Sequence, residues 1–259
     1  MGEALIHGVL SAGLLAPEEI CASDPMPQRR ASLAALGVRT TDDNAAAVAG
    51  AEMVLLAVKP QVLPAVLTAL SPHLSPGQLV VSIAAGVSLA ALEGKLPAGT
   101  PVVRVMPNLL ATVGAAATAI APGTAATAEH LERVEALFGA VGIVVRVEEK
   151  LLNAVTGVSG SGPAYICLII EAMADAGVRA GLPRDVAQRL AAQTVMGAGK
   201  LIIESGKHPA QVKDQVSSPG GTTIAAISAL EHAGLRAAMM DAVDAAVARA
   251  AELERAAAK

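Results

Sequence analysis

Aromatic residues are almost absent from this 259-residue chain, which has no Trp, one Tyr and one Phe. Without them there is no platform for stacking nucleobases, and any core must be built from Ala, Val, Leu and Ile. Cysteine is equally scarce. Cys21 and Cys167 cannot make a disulfide framework and lack CxxC spacing, which fits a reducing, cytoplasmic compartment. The histidines (His7, His73, His130, His208 and His232) are scattered without an HxxxH pair, so no metal site is expected. Charged residues make up 16% of the chain, against about 25% in an average soluble domain. A net charge of −4 and a pI near 5.7 give no electrostatic ground for binding nucleic acid. The one adjacent basic pair, Arg29-Arg30, reads as a solvated helix face. No Lys/Arg-led apolar segment opens the chain, so no secretory leader is expected.

What is abundant is apolar: 53% of residues are hydrophobic and the mean hydropathy is +0.54. Disorder is excluded, because it is low hydrophobicity that leaves a chain unable to offset its ordering entropy. The longest charge-free stretches are Pro60–Leu92, Val105–Ala128 and Leu151–Ile170. Each is interrupted by Pro or Gly, the third by Gly157, Gly160, Gly162 and Pro163, and much of the apolar count is alanine. The expectation is therefore a soluble protein with no membrane span. At about 100–200 residues per domain, the length allows one large domain or two modest ones.

The first half alternates. Short β-branched runs at Ile20–Ser23, Met53–Val58, Leu79–Ile83, Val102–Met106 and Ile143–Val147 are separated by helical patterns. In the clearest of these, Glu129–Val141, the residues Leu131, Val134, Leu137, Phe138 and Val141 share one face. Such alternation predicts βαβ units, a mostly parallel sheet with helices on both faces, and ligands at the carboxyl ends of the strands. After Glu148 the strand signals stop. Long helices are expected over Lys150–Gly177, Pro183–Ser205 and from about Leu235 onward, with a boundary near residue 147. Pro183 and Pro209 suit first-turn positions, Gly-containing breaks fall at Ser159–Pro163 and Ser218–Gly221, and the Ala256–Lys259 end is expected to fray.

Three strand ends could carry chemistry or could be ordinary βα turns: Lys59-Pro60, Ala84-Ala85-Gly86 and Pro107-Asn108. Lys59 stands out as a cation suited to a phosphate or carboxylate. Small residues at Ala84–Gly86 permit close approach of a ligand to the backbone. In the helical half, Ser218-Pro219-Gly220-Gly221-Thr222-Thr223 opens a helix. It is either a capped turn or an anion site built from backbone N–H groups. Ser159–Tyr165 is either a kink or a place where small residues admit another backbone or a ligand.

In this order, Ala57-Val58-Lys59-Pro60-Gln61, Ser82-Ile83-Ala84-Ala85-Gly86, Met106-Pro107-Asn108, Ser159–Tyr165 and Ser217–Thr223 resemble the pyrroline-5-carboxylate reductases. The resemblance implies an α/β fold: a Rossmann-like parallel-sheet domain (residues 1–147), then an all-α substrate and dimerisation domain (residues 148–259). It implies NADPH or NADH as cofactor, reduction of the C=N bond of L-1-pyrroline-5-carboxylate to L-proline, and an intertwined dimer that in the family often forms a ring of five dimers. By position, Ser23, Asp24, Asn44, Ala57, Val58, Lys59, Pro60, Ala84 and Ala85 would bind the cofactor, Ser23 and Asp24 near the adenosine ribose. Ser218, Gly220, Gly221, Thr222 and Thr223 would hold the substrate, its carboxylate on the loop amides and its ring nitrogen on the Thr223 hydroxyl. A Thr hydroxyl is a poor general acid, so Thr223 is assigned an orienting role and the proton is expected from solvent or substrate. The choice between cofactors stays open, with Asp24 followed by Pro25 and with Arg29 and Arg30 further along.

One departure matters. The family begins with a β-strand and a Gly-rich turn, whereas Met1-Gly2-Glu3-Ala4 here matches the start of the first helix. Either the start lies upstream and Met1 is internal, or the fingerprint has been lost; the intact remainder favours the first. The expected consequences are unpaired ladders on two inner strands and a bare apolar stripe of Leu5, Ile6, Val9, Leu10 and Leu14. A non-catalytic proline- or nucleotide-binding remnant is the alternative. A 3-hydroxyacid dehydrogenase is disfavoured, since no Lys lies between Lys150 and Lys200. Helices as apolar as Ala164–Ala176 and Val186–Ile203 call for a partner subunit.

Overall fold

The computed structural model describes residues 1–257. The chain divides into two compact units, Met1–Gly160 with the C-terminal turns from Ala246, and Ser161–Ala245.

The first unit runs α1 (Gly2–Ser11), β1 (Cys21–Ser23), α2 (Pro27–Ala34), β2 (Arg39–Thr41), α3 (Asn44–Val48), β3 (Met53–Leu56), α4 (Leu63–Leu70) and β4 (Leu79–Ser82). It continues with α5 (Leu89–Glu93), β5 (Val102–Met106), β6 (Ala116–Pro122), α6 (Ala128–Gly139), β7 (Gly142–Arg146) and α7 (Leu152–Val155). The strands form two sheets, a parallel β1-β2 pair and a five-stranded sheet in the order β3-β4-β5-β6-β7. All neighbours in the larger sheet are parallel except β5 and β6. This is the Rossmann-like α/β arrangement. The strand runs at 20–23, 53–58, 79–83, 102–106 and 143–147 all form, while β2 and β6 lie outside them.

Strands β4, β5 and β6 are buried on both faces, and their alternation sorts the core into two layers. Val80 and Val102 point to a layer with Leu63, Leu67 and Leu92. Val81, Val103 and Val105 point to the other, where the single Phe of the chain, Phe138, is fully buried. β1 pairs with β2 alone and β3 with β4 alone, so each keeps one ladder edge without a strand partner. The apolar stripe of α1, contrary to expectation, is not bare: Leu5 and Val9 are each 2% exposed. Leu5 sits among Leu79, Val103 and Phe138, and Gly8 lies so close to Val141 that a methyl group there would overlap it. Only Leu14 of the stripe is exposed.

Past residue 147, the first compact unit runs on to Gly160. The intervening segment packs on the sheet unit: Leu152 is buried in the first core layer, and Glu149 pairs with Arg104 of β5. The segment Glu149–Arg179 is helical for most of its length, and the break expected at Ser159–Pro163 takes the form of a π turn at Thr156–Gly160 and a bend at Ser161, after which a new helix begins at Gly162. The Thr156 hydroxyl donates to the Leu152 carbonyl and Ser159 to Val155, each satisfying an oxygen of the preceding turn. This 31-residue stretch is long and apolar enough to cross a membrane by length and composition.

The second unit contains α8 (Gly162–Arg179), α9 (Arg184–Ser205), α10 (Pro209–Gln215), α11 (Thr222–His232) and the first turns of α12 (Leu235–Ala257). Pro163 and Pro209 occupy first-turn positions, whereas Pro183 caps α9 from just outside it. Ala258 and Lys259, part of the end expected to fray, lie outside the described residues. The core of this unit is a small one of Ala174, Ala187 and Ala191, where α8 and α9 approach closely at Gly177. The larger side chains point outward, with Leu168 67% and Ile203 71% exposed.

Candidate active site

In the first unit the carboxyl ends of β3 and β4 lie at one end of a parallel pair. Ala57 follows β3, and Gly2 at the start of α1 sits against it: a Cβ on Gly2 would come within 3.2 Å of the Ala57 Cβ. No side chain caps α1, so its leading N–H groups are available to an anion. Lys59 is exposed and forms no ion pair among the described residues; Val58 and Pro60 are half-buried beside it. After β4, Ala84 is buried, Ala85 is exposed, and Gly86 takes the left-handed conformation at φ 74°. A side chain larger than methyl would fill the space over this turn.

At the end of β1, Ser23 and Asp24 are half-buried. The Asp24 N–H donates to the Thr41 carbonyl, which ties the β1 end to β2 (3.1 Å). Its carboxylate accepts from the Met26 N–H (2.8 Å) and opens α2. Arg30 lies one turn into α2, and its guanidinium folds back to donate to the Asp24 and Pro25 carbonyls, at 2.7 and 3.1 Å. Its other nitrogen is 3.5 Å from the Asp42 carboxylate. The helix thus returns to the strand end a cation that stands six residues away in the chain. Asn44 is the exposed first residue of α3, beside Asp43, whose carboxylate caps the helix through the Ala45 N–H.

In the second unit, the Gly221 N–H donates to the Ser218 carbonyl (3.0 Å), and Gly220 is left-handed at φ 67°. This turn delivers the chain into α11, an eleven-residue helix whose N-terminus has no side-chain cap. Ser218, Gly220 and Thr222 are exposed, Gly221 and Thr223 half-buried. The Thr223 hydroxyl has no hydrogen-bond partner among the described residues. The loop therefore presents amides and hydroxyls to a small anion, with no acid or imidazole in it.

Two polar clusters hold this region, one on the Pro107-Asn108 strand end that the sequence singles out and one, around Arg104, that it does not. Asn108, 5% exposed, accepts from the Leu110 and Ala117 N–H groups and donates to the Ser159 carbonyl (3.1 Å). It fastens the π turn to the end of β5. Arg104, also 5% exposed, lies inside β5 between two glutamates, Glu149 at 2.8 Å and Glu254 at 2.7 Å. Asn153 donates to the second oxygen of Glu254 (2.9 Å). Burial pushes the Glu254 carboxyl up, but the hydrogen bonds from Asn153 and Arg104 and the guanidinium charge outweigh it and hold the group below its ordinary value. The one signal in the sequence was an arginine in an otherwise apolar strand.

Comparison with known proteins covers both units. Residues 149–253 match the family described as pyrroline-5-carboxylate reductase dimerisation, and residues 1–86 match that described as NADP oxidoreductase, coenzyme F420-dependent. The chain is 52% identical to a pyrroline-5-carboxylate reductase of Methanosarcina acetivorans over 98% of its own length and 94% of the relative's. Among solved structures, it is similar to a pyrroline-5-carboxylate reductase from Coxiella burnetii, with TM-score 0.94 and 36% identity, covering 97% of this chain and 94% of that one. It is also similar to the Plasmodium falciparum pyrroline carboxylate reductase with NADP bound, with TM-score 0.86 and 30% identity, covering 98% and 94%.

Proposed function

The chain belongs to the pyrroline-5-carboxylate reductases, and we propose that it reduces L-1-pyrroline-5-carboxylate to L-proline with a cofactor in the Rossmann-like unit and the substrate on the Ser218–Thr223 turn. It is an NAD(P)H-dependent oxidoreductase of proline biosynthesis. The observation that carries the reading is the 52% identity sustained across nearly all of both chains. The remnant alternative gains nothing from these comparisons.

The residues present suit a dinucleotide. Ala57, Ala84 and Ala85 carry only methyl groups at the ends of β3 and β4, and the uncapped α1 begins beside Ala57 with unused amides. On this reading Ser23 and Asp24 would meet the adenosine ribose, Asn44 and Pro60 would line the cofactor, and Lys59 would screen its charge. When bound, the nicotinamide supplies hydride. That hydride would be taken up at the imine carbon, the C=N π electrons passing to nitrogen. The nitrogen carries its proton from solvent or arrives protonated. The chain's own work is to bind and orient. The amides of Gly220 and Thr222, with Ser218, would hold the substrate carboxylate at the start of α11, the Gly221 N–H being turned back to the Ser218 carbonyl, and the Thr223 hydroxyl would fix the ring nitrogen. Arg30, held at the end of β1, favours the 2′-phosphate of NADPH over the bare ribose of NADH.

Self-association goes with the dimerisation domain and with the outward apolar faces of α8 and α9. We assign the apolar Glu149–Arg179 stretch to that subunit interface rather than to a bilayer, and place the enzyme in the cytoplasm as a dimer or as a ring of dimers. A monomeric mass at micromolar concentration would contradict this. The functional test follows loss of reduced-nicotinamide absorbance on adding pyrroline-5-carboxylate, with NADPH and NADH run separately. Turnover with preference for NADPH is expected. A folded dimer without turnover with either cofactor would contradict the proposal.

A further inference from the structure

The loop after β4 carries Ala84 and Ala85 and ends where α5 begins. It is held at two points by parts of the chain remote in sequence. At Leu89, the first residue of α5, the backbone N–H donates to Glu149 Oε1 (2.6 Å). At Gly86, the Cα faces the backbone of α12: a Cβ there would stand 3.6 Å from the Glu254 nitrogen and 3.7 Å from the Leu253 carbonyl carbon. Both holds meet on one group. A single Nη1 of Arg104 donates to Glu149 Oε1 (2.8 Å) and to Glu254 Oε1 (2.7 Å). Glu254 is fixed further by Asn153 (2.9 Å).

We propose that Arg104, Glu149 and Glu254 are positioning residues that set the β4–α5 loop, and through it the nicotinamide face of the site, by clamping the loop between the 149–153 segment and the last turns of α12. None of the three touches the cofactor in this scheme. Glu149 fixes the far end of the loop directly. Glu254 fixes it by holding α12 against Gly86. Arg104 is the buried cation that keeps both carboxylates in place. The inference rests on the reading of Ala84 and Ala85 as cofactor contacts, and it adds that the C-terminal helix belongs to the cofactor site.

The test uses the full chain and the variants Glu149→Ala, Glu254→Ala and Glu254→Gln. Circular dichroism and solution mass establish that each is folded and associated as the parent is. Amide exchange of the 83–92 segment, measured without cofactor, is expected to quicken about tenfold in both alanine variants, as a loosened loop requires. The KM for NADPH should rise about tenfold while the KM for pyrroline-5-carboxylate moves less than about twofold, since misplacing one binding surface penalises the ligand it meets. Glu254→Gln, which still accepts from Arg104, should recover most of the loss. Unchanged exchange and unchanged cofactor KM in folded variants would overturn the proposal, as would an equal loss in every constant, which marks a merely structural role. Parent protein that binds no NADPH by titration calorimetry would overturn the underlying reading, and this proposal with it.

Discussion

Replacing Asn108 with alanine tests how the site is held together, because one buried side chain there fastens three backbone groups. Its Oδ1 accepts from Leu110 and Ala117 at 3.2 and 3.3 Å, and its Nδ2 donates to Ser159 at 3.1 Å. Alanine leaves the Ala117 N–H without its side-chain partner beside a fully packed strand, and it leaves the Ser159 carbonyl at the end of the π turn. A buried polar group stripped of its partner costs about 1–3 kcal/mol. The Leu110 amide is a cap bond to an exposed residue, worth about 1 kcal/mol. Water reaches part of this region, so we expect about 3 kcal/mol of lost stability, a large fraction of the 5–15 kcal/mol that holds a typical domain. Asn108→Asp should also destabilise, because it turns a carboxylate oxygen toward the Ser159 carbonyl, and its defect should shrink in acid. The assay is urea unfolding followed by far-UV circular dichroism at one fixed protein concentration, since association contributes to apparent stability. A loss under about 0.5 kcal/mol for Asn108→Ala, within the range of ordinary surface substitutions, would refute the reasoning.

Thr223→Ala should lower turnover about tenfold if the hydroxyl orients the ring nitrogen, with Thr223→Ser retaining most of the rate; a loss no greater than about twofold in steady-state assays would remove Thr223 from the mechanism. The Glu254 carboxyl is held below its ordinary value of 4.5 in the folded chain. Its contribution is therefore fully present above that value and lost as pH falls through the depressed folded one, so thermal unfolding across pH 6 to about pH 3 should show an acid-side loss of stability that is shallower in Glu254→Gln. Gly142 stands at the start of β7 with φ 156°, and a Cβ there would overlap the Ala116 carbonyl oxygen. Gly142→Ala should cost about 2 kcal/mol or more in urea unfolding by forcing β6 and β7 apart, and a neutral result would mean that their register yields easily.

What could be read from the chain and what could not divide along a physical line. The strands of the parallel core announce themselves because burial on both faces demands uninterrupted Val, Leu and Ile, as in Leu79–Ser82 and Val102–Met106. β6, Ala-Ala-Thr-Ala-Ile-Ala-Pro, does not, because alanine carries little strand preference and only its pairing with β5 and β7 makes it one. β2 has three residues and no apolar run. The partners of Arg104 lie 45 and 150 residues further along, beyond the reach of any spacing rule. Arg30 was legible as a residue but not as a neighbour of Asp24, since α2 has to fold before the two meet.

The Ser159–Pro163 segment shows the same limit from the other side. Its small residues read as a break or as room for a close approach; a π turn and a bend at Ser161 stand there, and the turn also lies close to the end of β5. An ideal Cβ on Gly160 would fall 2.9 Å from the Met106 Cε, so glycine there lets the π turn lie on the side chain that ends β5. Asn108, two residues past that methionine, then reaches the Ser159 carbonyl. Two motifs some fifty residues apart, each ambiguous alone, are thus one piece of structure. The small residues remove side chain so that the turn can approach, and the amide two residues past the strand's end holds it there. A substitution that restores bulk at Gly160 should therefore reproduce the defect of Asn108→Ala, and combining the two should cost less than the sum, because either change alone already parts the same contact.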